Sequence, residues 1–497
     1  MAVTSKTLAE LGLRARGALE AEITGIAIDS RQVKEGTLFA ALPGSAQHGA
    51  HYIEAALEAG ARAILTDVEG AALAADLLRD RVVVVADDAR ATLAHTAALW
   101  FGPQPATAIA VTGTNGKTSV STFARQIWQA LGRKAINIGT TGVEGDWTYP
   151  LHHTTPDPIT LQMVLAEAAK AGVTHVAMEA SSHGLDQRRL EGVMLSSGGF
   201  TNFTQDHLDY HKTFEAYFEA KAALFARLLP DEAVAAVNID DPKGAEIVRI
   251  AESRGQEVIS VGRSEGARLR LLGQRFDATG QEIRFSWQGE TRQMRLDLIG
   301  GFQAENVLLA AAMVIGAGEV PEDVFAALPQ LGTVRGRMQL AGTRANGATV
   351  FVDFAHTPDA IETALKAVRP HVMGRIIAIV GAGGDRDRTK RPLMGAAAAQ
   401  FADFVIVTDD NPRTEEPSSI RAAVMAGVLE GGASLRALEV ADRAEAILRG
   451  VDMLEAGDAL MICGKGHETG QIVGHDILPF DDAEQASIAI AALEELK

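Results

Sequence analysis

Thr107-Ala108-Ile109-Ala110-Val111-Thr112-Gly113-Thr114-Asn115-Gly116-Lys117-Thr118-Ser119 decides the fold. Thr107–Val111 reads as an apolar strand that runs into a glycine-rich turn. Beyond the turn, Val120, Phe123, Ile127, Trp128 and Leu131 recur on one helical face, and Gly132 stops the helix. Strand, turn and helix in that order make a phosphate cradle. Backbone N–H groups and the helix N-terminus face the anion, Lys117 reaches the β and γ phosphates, and a hydroxyl of Thr118 or Ser119 holds Mg²⁺. Gly113, Thr114, Asn115, Gly116, Lys117, Thr118 and Ser119 are therefore candidate contacts to a nucleotide triphosphate. The usual G-x4-G-K-[ST] spacing is broken, because Val111 stands where the first glycine belongs. A purely structural turn is the competing reading.

The pattern continues on both sides. Upstream, strands at Ile23–Ile28, Thr37–Ala41, Ala63–Thr66 and Val82–Ala86 alternate with a helix near Tyr52–Ala59, and Phe101-Gly102-Pro103-Gln104-Pro105 reads as a linker. Downstream, strands fall at Ala135–Ile138, His175–Met178 and the Gly199–Phe203 region, with a closing helix at Ala304–Ile315. A further unit opens after Val334-Arg335-Gly336-Arg337, with strands Thr349–Asp353, Ile376–Val380, Phe404–Val407 and Ala459–Ile462. Helices lie between them near Asp359–Val368, Leu393–Phe401, Ile420–Val428 and Arg443–Leu448. Alternation of this kind predicts an α/β fold with parallel, doubly wound sheets whose ligand sites gather at the strands' C-terminal ends. The expected domains are 1–103, 104–333 and 334–497, the central one carrying the phosphate loop and the last one Rossmann-like.

Composition agrees. The chain has 497 residues, 47% hydrophobic but only 5% aromatic, which suits Ala/Leu/Val-rich α/β cores. A net charge of −18 argues against nucleic acid or an anionic membrane as partner, so anionic ligands need local cations. The single cysteine, Cys463, excludes an internal disulfide and fits a reducing compartment. No signal peptide or membrane-spanning stretch is read, and a cytoplasmic monomer is expected.

Several strand-end runs carry chemistry, each with a bland alternative. Val176-Ala177-Met178-Glu179 ends a strand in a carboxylate suited to Mg²⁺ beside a phosphate loop, although strand-end acids are common. Thr204–His211 packs two acids and two histidines into eight residues, but it lacks a zinc pattern and a solvated turn competes. His152-His153-Thr154-Thr155-Pro156-Asp157 stacks donors before a proline, with a bare loop as the alternative. Lys221, in the helical stretch Phe214–Leu228, reads as an ordinary surface lysine. Gly383–Arg391 brings four cations to a strand end and favours anion binding over a merely solvated face. Asp410-Asn411-Pro412-Arg413 follows Phe404–Val407 and carries an arginine able to grip a carboxylate. Gly464-Lys465-Gly466-His467-Glu468 follows a strand too, and Lys465 with Glu468 would read opposite charges on a zwitterion. Together the last two runs suit an amino-acid-like ligand.

Over essentially the whole chain these residues resemble the Mur ligases, ATP-dependent amino-acid-adding enzymes of peptidoglycan synthesis. Thr112–Thr118, Glu179-Ala180-Ser181-Ser182-His183-Gly184, Asn202-Phe203-Thr204-Gln205-Asp206-His207-Leu208-Asp209 and Gly301-Phe302-Gln303-Ala304-Glu305-Asn306 carry the resemblance in the centre. Asp29-Ser30-Arg31 with Gly36–Ala41 resembles the family's UDP-binding domain, and Arg335–Met338 with Asp353–Pro358 resembles the start of its third domain. Asp-Asn-Pro-Arg with Gly-Lys-Gly-His-Glu is similar to the diaminopimelate-adding branch. Where relatives usually read Asp-Gly-His before an aromatic, this chain has His48-Gly49-Ala50-His51-Tyr52.

The resemblance implies roles. Lys117, Glu179, His207 and Lys221 would be catalytic. Thr118, Glu179 and His207 would form the Mg²⁺ neighbourhood together with Lys221 as its carbamate (N6-carboxylysine), since an ammonium cannot ligate a cation. Asn306, Arg337 and Asp353 would add nucleotide contacts. Ser30, Thr154, Thr155, Ser181, Gln187 and Arg189 would hold a UDP-muramoyl dipeptide. Arg386, Asp410, Asn411, Pro412, Arg413, Gly464 and Glu468 would hold diaminopimelate. The implied reaction runs through an acyl phosphate, with the third domain swinging to complete the site. A lysine-adding relative, a folylpolyglutamate synthase without the Asp29–Ala41 domain, and a nucleotide-switch protein without ligase activity are the competing readings.

Overall fold

A computed structural model describes residues 5–15, 21–44, 47–151, 153–204, 208–431 and 436–495, with the side chains of Leu208 and Asp209 excepted. The chain packs into two units, Met1–Ala267 with Leu309–Val324, and Arg268–Leu308 with Phe325–Lys497.

In the first unit, Gly25–Ala27, Thr37–Ala41, Ala63–Thr66 and Val82–Val85 pair in parallel in chain order. The predicted strand at Ile23–Ile28 is broken at Thr24, whose hydroxyl donates to the Glu35 carbonyl at 2.7 Å. The His48 departure is accommodated locally. Its Nδ1 accepts from the Ala50 N–H at 3.0 Å, so the ring proton belongs on Nε2, 3.1 Å from Asp67 Oδ1. Histidine thus caps the short 3-10 turn Gly49–Tyr52, as a carboxylate would.

The same unit holds a second parallel sheet. Thr107–Thr112 lies between His175–Glu179 and Leu195–Phe200, with Ala135–Gly139 beyond the former and Val234–Asn238 beyond the latter. The predicted Gly199–Phe203 strand ends early, at Phe200, because Thr201 and Asn202 turn away to hold the phosphate loop. Val120, Phe123, Ile127 and Trp128 are fully buried on the helix Lys117–Ala130, which is the predicted apolar face. No helix among the described residues is long and apolar enough to cross a membrane.

In the second unit an antiparallel meander (Leu269–Asp277, Gly280–Trp287, Glu290–Leu296) precedes a doubly wound sheet. The sheet runs Gln339–Thr343, Thr349–Asp353, Ala459–Cys463, Ile376–Val380, Phe404–Val407, Ala437–Glu439, parallel except for the first strand. His371 ties the meander to this sheet: its Nδ1 meets the Asp277 carbonyl at 2.7 Å and its Nε2 accepts from the Gly300 N–H at 3.0 Å. The strand order brings Asp353, Gly464, Gly383 and Asp410 to one C-terminal edge, where parallel sheets place ligands.

Candidate active site

The phosphate loop is braced from behind. Thr114 N–H donates to the Asn202 carbonyl at 2.8 Å and Asn115 N–H to Asn202 Oδ1 at 2.9 Å. Thr201 Oγ1 donates to the Asn115 carbonyl at 2.6 Å, and the Thr114 hydroxyl bonds the Thr204 backbone. Gly113 has φ +139°, and a Cβ there would strike the Thr201 hydroxyl, so glycine is required. Gly116, also at positive φ, opens the helix, and no side chain caps its N-terminus. Lys117 Nζ lies over the loop, donating to the carbonyls of Gly113 at 2.9 Å and Thr114 at 2.8 Å.

Lys221 is not a surface lysine. It is 1% exposed, its Nζ donates to the Gly113 carbonyl at 2.6 Å and stands 4.5 Å from the Tyr217 ring. The sequence reading failed because the helix Phe214–Ala223 buries residues on more than one face, including Tyr217, Phe218, Ala220, Lys221 and Ala222, so no apolar stripe marks its inner side.

Glu179 is 2% exposed at the end of the strand paired with the one that precedes the loop, in register with Val111. Its Oε1 accepts from the Thr140 N–H at 2.9 Å and its Oε2 from the Thr140 hydroxyl at 3.3 Å. Thr140, which no sequence motif marks, also bonds Thr154 Oγ1 at 3.1 Å. Thr155 Oγ1 donates to the Glu179 carbonyl at 2.8 Å and accepts from Ser181 N–H at 3.0 Å. Arg189 Nη1 donates to the Thr155 carbonyl at 2.6 Å and its Nη2 to Gln187 Oε1 at 2.8 Å. Thr154, Thr155, Ser181, Gln187 and Arg189 thus form one connected group around Glu179. Ser30 is held separately on the 3-10 turn Ser30–Gln32. His207 lies outside the described residues.

Oxygen donors suit a hard cation, and the Thr118 hydroxyl and the buried Glu179 carboxylate supply that chemistry beside the loop. Among the described residues no cluster of three His, Cys, Asp or Glu side chains forms a metal cage.

In the second unit Asn306 Nδ2 donates to Gln303 Oε1 at 3.0 Å, and Asp353 Oδ2 accepts from Met338 N–H at 2.8 Å. Burial pushes the Asp353 carboxyl up, and the nearby Arg337 guanidinium, 5.0 Å from the Phe354 ring, opposes that rise. His467 tilts against the same ring with centroids 4.8 Å apart. Burial and the positive charges of Arg337, Arg335 and His356 push its imidazole down to about 4.

At the neighbouring strand ends the amino-acid candidates converge. Asn411 Nδ2 donates to Glu468 Oε2 at 2.8 Å. Gly464 sits at φ +117°, and a Cβ there would come 2.5 Å from Asp410 Oδ2. Arg413 Nη1 donates to the Gly384 carbonyl at 2.8 Å, and Pro412 is buried behind it. A Cβ on Gly383 would lie 2.8 Å from Arg413 Nη1 and 3.9 Å from Arg386 Cγ, so both arginines flank that glycine. Of the four cations in Gly383–Arg391, Arg388 and Arg391 pair with Glu415, and Lys390 bonds the His356 carbonyl. Arg386 is exposed and, among the described residues, has no hydrogen bond or ion pair. Lys465 is a correction: it is fully buried and bonded to Asn411 and Glu468, so it does not face a ligand as expected.

Family models match three consecutive stretches: the Mur ligase family catalytic domain at residues 22–100, the Mur ligase middle domain at 111–314, and the Mur ligase glutamate ligase domain at 336–466. The chain belongs to the Mur ligase family. It is 48% identical to UDP-N-acetylmuramoyl-L-alanyl-D-glutamate–2,6-diaminopimelate ligase of Bradyrhizobium diazoefficiens over 95% of each chain. It is 47% identical to the same-named enzyme of Agrobacterium fabrum, over 99% of this chain and 97% of that one. A solved structure of a ligase of that name covers 99% of this chain and 100% of its own, with 32% identity and a TM-score of 0.72. The α/β expectation, the family resemblance and the assignment as a ligase therefore hold. The match at residues 22–100 supplies the N-terminal domain that a folylpolyglutamate synthase was expected to lack.

Proposed function

We propose that this chain joins an amino group of meso-2,6-diaminopimelate to the γ-carboxyl of UDP-N-acetylmuramoyl-L-alanyl-D-glutamate, using ATP, in cytoplasmic peptidoglycan precursor synthesis and as a monomer. The observation that carries the choice of amine is the pairing of Arg386 and Arg413 around Gly383 on the same sheet edge as Asp410 and Glu468. Two cations suit two carboxylates, and the acids suit ammonium groups. Lysine, with one carboxylate, would leave one arginine without its partner.

In this reading residues 1–103 hold the UDP end, with Ser30 among the contacts. Residues 104–333 hold the dipeptide through Thr154, Thr155, Ser181, Gln187 and Arg189, and the ATP phosphates through Gly113–Ser119. Residues 334–497 select the amine, and Asn306, Arg337 and Asp353 add nucleotide contacts. The D-glutamyl carboxylate attacks the γ-phosphorus, ADP leaves, and an acyl phosphate forms. The amine, having lost a proton, attacks the acyl carbon; the C–O bond to phosphate breaks and an amide remains. Lys117 exchanges its loop carbonyls for phosphate oxygens and stabilises the charge that builds there. Thr118, Glu179, His207 and Lys221 as its carbamate would hold Mg²⁺, which when bound supplies electrostatic stabilisation of the phosphoryl oxygens. Catalysis by this chain is otherwise positioning.

The test is the product's mass. With ATP, the UDP-dipeptide and diaminopimelate, the expected product has the summed mass of the last two less one water, with one ADP and one phosphate released per product. ATP turnover without that product would overturn the reading and favour a nucleotide switch.

A further inference from the structure

Asp410-Asn411-Pro412-Arg413 is gripped almost residue by residue by the segment that follows Gly464. Gln471 Nε2 donates to the Asp410 carbonyl at 2.8 Å. Asn411 Oδ1 accepts from Lys465 Nζ at 2.8 Å and from the Ile472 N–H at 2.9 Å. Pro412 has no N–H to give, so the grip resumes at Arg413. Its N–H donates to the Ile472 carbonyl at 3.0 Å, and its carbonyl accepts from Gly474 N–H at 2.7 Å. Gln471, Ile472 and Val473 belong to an antiparallel hairpin, Gly470–Val473 with Asp476–Pro479, and Val473 forms a parallel bridge with Arg413. Arg413 is held at φ +52°, a conformation an arginine rarely adopts unless its surroundings impose it.

Lys465 is the odd member. A wholly buried ammonium is costly, and here it faces one amide oxygen and one partly exposed carboxylate. Both side-chain hydrogen bonds to Glu468, from Asn411 and from Lys465 at 3.3 Å, fall on Oε2. Lys465 therefore bears on Glu468 directly and through Asn411, whose own bond to Oε2 is the shorter at 2.8 Å.

We propose that Lys465 and the Gly470–Pro479 hairpin form a positioning frame for amine selection: Lys465 orients Glu468 and Asn411, and the hairpin sets the backbone that presents Arg413. The proposal rests on the function proposed above.

The experiment uses the full chain and begins with an amine panel on the wild type. Lys465→Met and Gln471→Ala are then compared for the KM of diaminopimelate, the KM of ATP and Tm. The expected result is a rise in the diaminopimelate KM of about 10-fold for Lys465→Met and about 3-fold for Gln471→Ala, with the ATP KM within about twofold. Tm of Lys465→Met should fall, because Asn411 and Glu468 lose a donor, so positioning is read from the split between the two KM values rather than from stability. An unchanged diaminopimelate KM in a folded variant, or equal rises for both substrates, overturns the frame. Should Lys465→Met fail to fold, Gln471→Ala decides by the same criterion. A wild type that rejects diaminopimelate but takes another amine overturns the functional reading alone, and the frame is then read on that amine's KM.

Discussion

Lys117 and Lys221 donate to the same acceptor, the carbonyl oxygen of Gly113, at 2.9 and 2.6 Å. Two ammonium groups so placed repel by on the order of 3 kcal/mol at an effective dielectric constant of ~20. Converting Lys221 to a carbamate turns that repulsion into attraction and supplies anionic oxygens beside the phosphate loop. With ¹³C-bicarbonate, wild-type protein is expected to show a carbamate carbon resonance that Lys221→Ala lacks, and the variant should lose about 10²-fold or more in kcat. Absence of the resonance in active wild-type enzyme would show that Lys221 acts as an ammonium.

Removing the Arg413 guanidinium takes away a charged contact and leaves the Gly384 carbonyl without its donor. Arg413→Ala should raise the diaminopimelate KM about 10- to 150-fold, the equivalent of roughly 1.5–3 kcal/mol. The ATP KM should move by less than about twofold. Equal damage to both would remove Arg413 from amine recognition.

Arg443 and Asp482 form a bidentate pair with both side chains fully buried, and Arg443 also donates to the Cys463 carbonyl at 3.0 Å. Arg443→Met strands a buried carboxylate and should cost about 3–5 kcal/mol in urea unfolding. The double variant Arg443→Met/Asp482→Leu should recover most of that loss. A double variant no better than the single would show that the Cys463 carbonyl, rather than the ion pair, is what Arg443 secures.

Buried histidines set the acid limb of stability. His371 needs its neutral form, because Nε2 accepts from the Gly300 N–H, and its pKa is lowered chiefly by burial. His467 is pushed down to about 4. An unfolded histidine takes up its proton near pH 6.5, so these groups contribute fully above that pH and their contribution is lost as pH falls toward 4. The urea midpoint should drop between pH 7 and pH 4.5, and His467→Phe should flatten the fall. A midpoint that is level or rises over this range would contradict the assignment.

Much of the fold is legible in the sequence. The strands Thr37–Ala41, Ala63–Thr66, Thr349–Asp353, Ile376–Val380 and Phe404–Val407 lie where short apolar runs predict them, because strands buried on both faces carry an unbroken apolar signal. The meander at residues 269–296 carries no such signal. Its polar outward residues, among them Arg275, Glu282, Arg284 and Arg295, dilute the pattern of a one-sided sheet. At the site, glycine-rich strand ends pointed to the phosphate loop and the amine-selecting loops. Lys221, Lys465 and Thr140 did not stand out, since burial of a polar side chain depends on partners 54 to 108 residues away for the lysines and 39 for the threonine. Sequence spacing does not encode contacts of that range.

Two arginines at one sheet edge make amine choice the decisive property of this ligase, which should require a diamino dicarboxylate. Phosphate release should be followed with ATP, the UDP-dipeptide and a panel of amines: meso-diaminopimelate, lysine, ornithine, glutamate and none. Release should require the UDP-dipeptide and proceed with meso-diaminopimelate far faster than with lysine. Release that is equally fast with lysine, or indifferent to the amine, would remove the diamino dicarboxylate as the required substrate.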